Sequence, residues 1–321
     1  MSVEQRPNAP ESRELKRPDP YVMRVSGLVI ASDGVKRHSL LDVANTPFYG
    51  GHKILIKDKI LNPNLLLINR MPLIEPAIKA MFDAKSVNDF VIVGNEDQCE
   101  DLEEVASRNS NGKPYKIVPN NRHIGEVVAL GADNAMLSGY LFITMSDLPY
   151  TNGQAVDFAV ADILRGQNFG ADVYLPVVSA DFFSSYGDGS KSTFSRLQKD
   201  GIKGRYRGLN FVIANSRNVN TEAIKQYYDI RMIHSLKGKL NAARNFPNLL
   251  PEVALKYLAS RLSISRLEEI ASEWYRGEFR IVEVSDPSYA SFMKDIDTLR
   301  DYKAYRRKEA TSVWTPLTRK T

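Results

Sequence analysis

The chain has 321 residues, of which 43% are hydrophobic and 25% charged, with a formal net charge of +5; this is an ordinary globular balance with material for a sizeable core. The single cysteine, Cys99, excludes an internal disulfide and a cysteine-built metal cluster. No apolar run is long enough for a membrane span, and the N-terminus lacks an apolar signal core, so the expected location is the cytoplasm.

Residues 1–21 hold prolines at 7, 10, 18 and 20 among charged residues and read as a disordered arm. Val22 to Ile30 reads as a first strand, followed by the small-residue turn Ala31-Ser32-Asp33-Gly34 and the basic pair Lys36-Arg37. Such a turn is either a phosphate cradle or an ordinary polar connection. Residues 38–62 carry no clear element. After the short apolar segment Leu65 to Ile68, Pro72 is expected to open a helix with Ile74, Ile78, Met81 and Phe82 facing inward. Phe90 to Gly94 reads as a second buried strand, Glu96 to Ser107 as an acidic surface helix and Tyr115 to Val118 as a third strand. Asn120 to Glu126 then leads into a small-residue helix, Val127 to Leu137.

Tyr140 to Met145 is an apolar run rich in aromatic and β-branched residues, the composition of a strand buried on both faces. It stops at Asp147 and Pro149, and Thr151 and Asn152 are good N-caps for the periodic run Val156, Ala159, Val160, Ile163, Leu164. Ala171 to Val178 reads as a further strand, Phe182 to Gly189 as an excursion, and Lys191 to Phe194 with Gly204 to Ile213 as strands near a sheet edge. From Glu222 to Glu273 the pattern is helical, with Ser265 and Glu268 in the form of a capping box. Phe279 to Val284 returns to strand, and the tail from Tyr305 is basic and polar.

Strands alternating with helices predict an α/β fold with a doubly wound, mostly parallel sheet and a helical C-terminal annex. The expected division is an arm at 1–21, a core at 22–221, an annex at 222–278, a returning core segment at 279–304 and a tail at 305–321.

In such a sheet Asp147 stands at the carboxyl end of a central strand, where ligands bind. Two readings fit it: a carboxylate for a divalent cation carrying phosphates, or a turn aspartate that caps the next helix. The dispersed basic excess suits a small anionic substrate and disfavours a nucleic-acid surface. The four histidines, His38, His52, His123 and His234, have no metal-ligand spacing.

Several stretches together resemble the nucleotidyltransferases of the glycosyltransferase-A type fold, the group that includes molybdenum-cofactor guanylyltransferase-like (MobA-like) NTP transferases. Gly27 to Arg37 resembles the family's first strand, glycine-rich turn and arginine. Leu65 to Ile74 resembles the lead into its next helix. Ser146-Asp147-Leu148-Pro149 matches an Asp-x-Pro metal motif, and Asp295-Ile296-Asp297-Thr298-Leu299-Arg300-Asp301 resembles a closing acidic segment. Gly208-Leu209-Asn210-Phe211 resembles a Gly-Gly-Asn segment near the reacting phosphates, with Lys191 to Phe194 as a basic element before it. Two departures stand out. Ser32-Asp33-Gly34 replaces a double glycine, and the lysine expected before Leu65 is absent, with Lys53, Lys57, Lys59 and Arg37 as the nearby cations.

The resemblance implies Mg²⁺ at Asp147, with Asn210 or Asp297 as second ligand. It places the nucleotide against Ile30, Ala31, Ser32, Gly34, Asn121, Arg122 and Glu126, and gives cationic roles to Arg37 and Lys191. The implied reaction moves an NMP from an NTP to a small phosphorylated acceptor and releases pyrophosphate. A same-fold glycosyltransferase would carry Asp-x-Asp at the organising strand, and residue 145 is Met. A non-catalytic nucleotide-binding regulator or scaffold is the other reading, and the sequence is compatible with an oligomer.

Overall fold

The computed structural model describes residues 24–31, 67–68, 71–120, 124–135, 139–165, 170–186, 195–224, 226 and 262–296. Its frame is a nine-stranded sheet. Strand β1 (Val25–Ile30) has all six residues buried, because it lies between β4 (Val87–Gly94) and β6 (Tyr140–Met145), parallel to both. β5 (Tyr115–Pro119) extends this side in parallel beyond β4. β2 (Leu67–Ile68) and β3 (Met71–Pro72) form a separate small antiparallel pair.

Side chains alternate across β1 with the period of two that a strand imposes. Val25 and Val29 point into one core, with Ile78, Met81 and Phe82 of α1 (Glu75–Asp83), Leu102 and Val105 of α2 (Cys99–Asn109) and Val156 and Ile163 of α4 (Gly153–Arg165). Leu28 and Ile30 point into the opposite core, against Val127 and Val128 of α3 (Ile124–Asn134). This is the expected doubly wound arrangement. None of the helices described is long and apolar enough to cross a membrane.

The second half departs from the expected order. β7 (Val173–Ser179) is followed directly by a short helix, α5 (Ala180–Tyr186), where an excursion was expected. β8 (Ser195–Lys199) and β9 (Ile202–Gly208) form a hairpin, and β10 (Phe211–Asn215) inserts antiparallel to both β6 and β7. Residues 211–215 are therefore central, not at an edge; Phe211, Ile213 and Ala214 are buried. β11 (Phe279–Glu283) runs parallel to β7.

Val177 pairs with both Gly208 and Glu283, and Val173 with both Ala214 and Phe279. β11 thus occupies one side of β7, and β9 and β10 share the other. Between Gly208↔Val177 and Ile213↔Tyr174 the chain advances five residues against three on β7, so Leu209 and Asn210 belong to a bulge. Bulges of this kind re-aim side chains and concentrate next to active sites.

Two helix starts also differ from expectation. α1 begins at Glu75 with Pro76 in its first turn, while Pro72 sits in β3; a proline there removes only an amide that lacks an intrahelical partner. The cap of α6 (Ile264–Tyr275) is Ser263, whose Oγ accepts from Arg266 N at 3.0 Å. Ser265 and Glu268 form no capping box, because the Gln198↔Ser263 bridge holds residue 263 extended and Glu268 instead accepts from Ile281 N at 2.7 Å.

Candidate active site at the carboxyl edge of the sheet

The parallel strands all deliver their last residues to one edge. Ala31 N donates to Val93 O at 2.8 Å, Asn120 N to Gly94 O at 2.7 Å, and Ser146 N to Ile30 O at 3.1 Å. These bonds tie the exits of β1, β4, β5 and β6 together, so Ile30, Ala31, Asn120 and Ser146 share that edge.

Asp147 follows in the turn after β6 and is partly exposed. It is not the cap of the next helix. Asn152 does that work, its Oδ1 accepting from Ala155 N at 3.0 Å, and the capping reading of Asp147 falls away. The Asp147 carbonyl accepts from Ile296 N at 3.1 Å, which draws residues 295–296 over the same edge.

Asn210 arrives from the other direction. Phe211 pairs with Thr144, so the bulge before β10 lies beside the end of β6. Asn210 N donates to Phe292 O at 3.3 Å, and its side-chain Nδ2 is buried without a hydrogen-bond partner. A buried amide donor left unmade is costly, about 1–3 kcal/mol, and invites an external acceptor. Two residues earlier, a Cβ on Gly208 would meet nothing within 4 Å, and the backbone there is not left-handed. Among the described residues no neighbouring atom requires glycine at 208.

An aromatic layer holds the bulge in place. Phe211 stacks on Phe142 at 4.9 Å between ring centroids and lies 4.5 Å from Phe292 and 6.2 Å from Tyr289. Phe292 and Tyr289 belong to the 3₁₀ segment Pro287–Phe292, which presents the carbonyl that Asn210 N uses. Tyr289 is fully buried and donates to Asp162 Oδ2 at 2.6 Å. Burial, and then this carboxylate, push its hydroxyl well above the usual tyrosine range.

Arg207 closes the far side. It lies opposite Val178 at the end of β7, with Cζ 5.0 Å from the Phe183 ring centre and Nη2 3.5 Å from Asp295 Oδ1. Asp295 thus pairs with Arg207.

Glu126 occupies a different part of the edge. In the first turn of α3 it helps line an open cleft of about 560 Å³ with Glu96, Pro119, Asn120, Ala129, Leu130 and Asp133. β4 and β1 separate β5 from β6, so this cleft is roughly 14 Å from Asp147 at ~4.8 Å per strand. Ile30, Ala31, Asp147 and Asn210 therefore converge, with Glu126 further along the same edge. Ser32, Gly34, Arg37, Asn121, Arg122, Lys191 and Asp297 lie outside the described residues, as does Asp33.

Among the described residues no three His, Cys, Asp or Glu side chains gather as a metal site. Asp147 with a neighbouring side-chain amide nevertheless fits Mg²⁺, which takes one or two carboxylates and fills its remaining positions with phosphate oxygens and water. Arg207 carries no role in the sequence reading; it stands directly before Gly208-Leu209-Asn210.

No family model matches the chain. The probable molybdenum cofactor guanylyltransferase of Thermococcus gammatolerans is 25% identical over 172 residues, covering 54% of this chain and 76% of that protein. A solved structure described as a hypothetical transferase from Thermus thermophilus superposes with a TM-score of 0.62 at 18% identity, covering 87% of this chain and 100% of its own. The CMP:2-keto-3-deoxy-manno-octonic acid synthetase complexed with CTP superposes with a TM-score of 0.50 at 10% identity, covering 90% and 99%. The two structures share the fold. That common chain path, with the sequence relation to the archaeal protein, makes this chain similar to the MobA-like nucleotidyltransferases and supports an enzyme of the transferase kind on the shared α/β fold.

Proposed function

We propose that the protein moves an NMP from an NTP to a small phosphorylated acceptor in a Mg²⁺-dependent reaction that releases pyrophosphate. The observation that carries this reading is the meeting of Asp147 and Asn210. Antiparallel insertion of β10 beside β6 brings a carboxylate and an unsatisfied amide to one edge, next to open space over Gly208.

In this reading Asp147 holds Mg²⁺, with the Asn210 carbonyl oxygen or Asp297 as the second ligand. The bound ion supplies neutralising charge for the phosphates. Asn210 Nδ2 donates to a phosphate oxygen, which satisfies the buried donor. The turn at Ala31 to Gly34 and residues Asn121, Arg122 and Glu126 hold the nucleotide, and Arg37 and Lys191 add positive charge. An oxygen of the acceptor phosphate forms a bond to the α-phosphorus while the bond from that phosphorus to pyrophosphate breaks. The acceptor oxygen is already anionic near neutral pH, so the site needs no general base; its contribution is alignment and charge stabilisation. The guanylyl in the name of the archaeal relative makes GTP the first nucleotide to test.

The test is thermal unfolding with GTP, ATP, CTP and UTP, each with and without Mg²⁺, for the wild type and Asp147→Ala. Ligand at 100 times its dissociation constant stabilises by about 2.7 kcal/mol, a clear midpoint shift. One nucleotide is expected to give a Mg²⁺-dependent shift that Asp147→Ala loses. An equal shift in the variant, or none with any nucleotide, overturns the reading.

A further inference from the structure

We propose that Tyr289 is a positioning residue: by anchoring residues 289–296 to α4 through Asp162, it sets where Asn210 and Asp147 stand relative to each other. The inference rests on the transfer reading above and names a residue that serves the same site without touching its ligands.

Asn210 and Asp147 lie just past the part of the sheet that could fix them. The ladder between β6 and β10 ends at the Phe211↔Thr144 pair, and both residues are beyond it. A second connection joins them there. Phe292 O accepts from Asn210 N at 3.3 Å, and Ile296 N donates to Asp147 O at 3.1 Å, so one short stretch of chain touches both. These contacts run through backbone atoms, so the spacing of the two site residues follows wherever that stretch is seated.

Tyr289 seats it. Its ring is fully buried, lies 5.4 Å from the Phe158 ring of α4 edge-on, and is parallel to Phe211 at 6.2 Å. Its hydroxyl donates to Asp162 Oδ2 at 2.6 Å. Phe158 and Asp162 stand four apart on α4, on one face of the helix. α4 is the helix that the Asp147 turn leads into. The contacts therefore close a ring: from Asp147 through α4 to Asp162, across to Tyr289, along the chain to Ile296, and back to Asp147.

Within this ring the Asp162 bond is the strong directional link. A bond to a carboxylate is roughly twice as strong as one between neutral groups, whereas the 3.1 Å and 3.3 Å backbone bonds are at the long end of the hydrogen-bond range. Ring packing alone is non-directional and does not fix a register.

The test removes the hydroxyl and keeps the ring. Tyr289→Phe, Asp162→Asn and, as a control, Arg108→Ala are compared with the wild type as full chains. Arg108 clamps Glu75 of α1 through two hydrogen bonds, so its loss destabilises the chain without entering the ring. Amide hydrogen exchange without ligand, followed by NMR at Asn210 and Ile296 and referred to the buried strand β1, reports the seating. Calorimetry with Mg²⁺ and GTP, or with whichever of the four nucleotides shifts the wild-type midpoint, reports the site. Tyr289→Phe should speed exchange at both amides about tenfold relative to β1, the bias of one bond to a charged acceptor. It should also weaken Mg²⁺-nucleotide binding at least about threefold, a readout that a merely structural bond would not move. Asp162→Asn keeps an acceptor oxygen for the hydroxyl and should fall between the wild type and Tyr289→Phe. Arg108→Ala should change neither readout. Unchanged exchange at the two amides in Tyr289→Phe, unchanged nucleotide affinity beside faster exchange, or equal weakening of nucleotide binding in Arg108→Ala each overturns the assignment, while the transfer reading stands as long as the wild type binds. If no nucleotide binds the wild type, the transfer reading falls, and faster exchange in Tyr289→Phe upholds the anchor by itself.

Discussion

Gly208→Val separates a ligand's need for space from a fold's need for it. A Cβ at 208 meets no atom within 4 Å, and the backbone is outside the left-handed region. The residue ends a strand, where a β-branched side chain has better propensity and the unfolded chain loses freedom. The substitution should therefore be neutral or stabilise by roughly 0.5–1 kcal/mol, a rise of up to a few degrees in the unfolding midpoint. If the reacting phosphates lie over this backbone, the isopropyl group fills their space and the Mg²⁺-nucleotide shift should largely vanish. Gly131→Ala is the opposite case. Its Cβ would stand 2.4 Å and 2.5 Å from the two Leu28 methyl carbons, so α3 must move off the sheet at a cost of about 1–3 kcal/mol. That variant should melt earlier yet keep its ligand-induced shift. Differential scanning fluorimetry with and without Mg²⁺-nucleotide reads both variants. A full nucleotide shift in Gly208→Val would refute the reasoning, because the open space would then hold only solvent.

Two further outcomes follow from buried polar groups. Tyr289 is raised in the fold above its unfolded value of about 10. Its contribution to stability is complete below pH 10 and is lost as pH climbs through the folded value. Tyr289→Phe should cost about 1 kcal/mol at neutral pH by removing the bond to Asp162. It should also flatten the alkaline decline, and urea midpoints between pH 8 and 11 that fall as steeply as in the wild type would contradict this. Arg108→Ala strips the bidentate partner from Glu75, whose side chain is 10% exposed and keeps only the Asn109 amide at 2.9 Å. Because Arg108 itself is 40% exposed, the loss should fall at or below the low end of the range for breaking a buried pair, about 2–3 kcal/mol. Denaturant unfolding within 0.5 kcal/mol of wild type would show that water replaces the arginine.

The first half of the fold was legible because each strand there is short, apolar and bounded. β1, β4, β5 and β6 are parallel neighbours, β1, β6 and the Phe90–Val93 part of β4 read as continuous hydrophobic runs, and α1 and α4 announce their buried faces at helical spacing. Asp147 was legible for the same reason, since a carboxylate at the stop of such a run can only leave by the carboxyl edge. The second half hid its order. Gly204 to Ile213 alternates charged and apolar residues, which in sequence resembles an edge strand. It is in fact two strands with a bulge between them, the first carrying exposed charges and the second buried between β6 and β7. Periodicity reports which face is apolar, but not which strands flank it. The Ser265–Glu268 box failed in a related way, because a backbone bridge to β8 chose Ser263 two residues earlier.

The same bulge explains why the side of the site beside β7 escapes sequence reasoning. A regular strand would bring residues 207 to 210 past β7 in register, sending Asn210 and Gly208 to one face and Arg207 to the other. Advancing five residues against three breaks that alternation, so Arg207, Gly208 and Asn210 can serve one edge. No local composition marks the extra residues; they become visible only once Val177 is seen to pair with Gly208 and Tyr174 with Ile213. Deleting one residue of the link, Leu209, should therefore shift the register of β10 by one. Phe211, Ile213 and their aromatic partners would then leave the core. Loss of cooperative unfolding is the expected result. A folded deletion variant that still binds nucleotide would show that the bulge is dispensable.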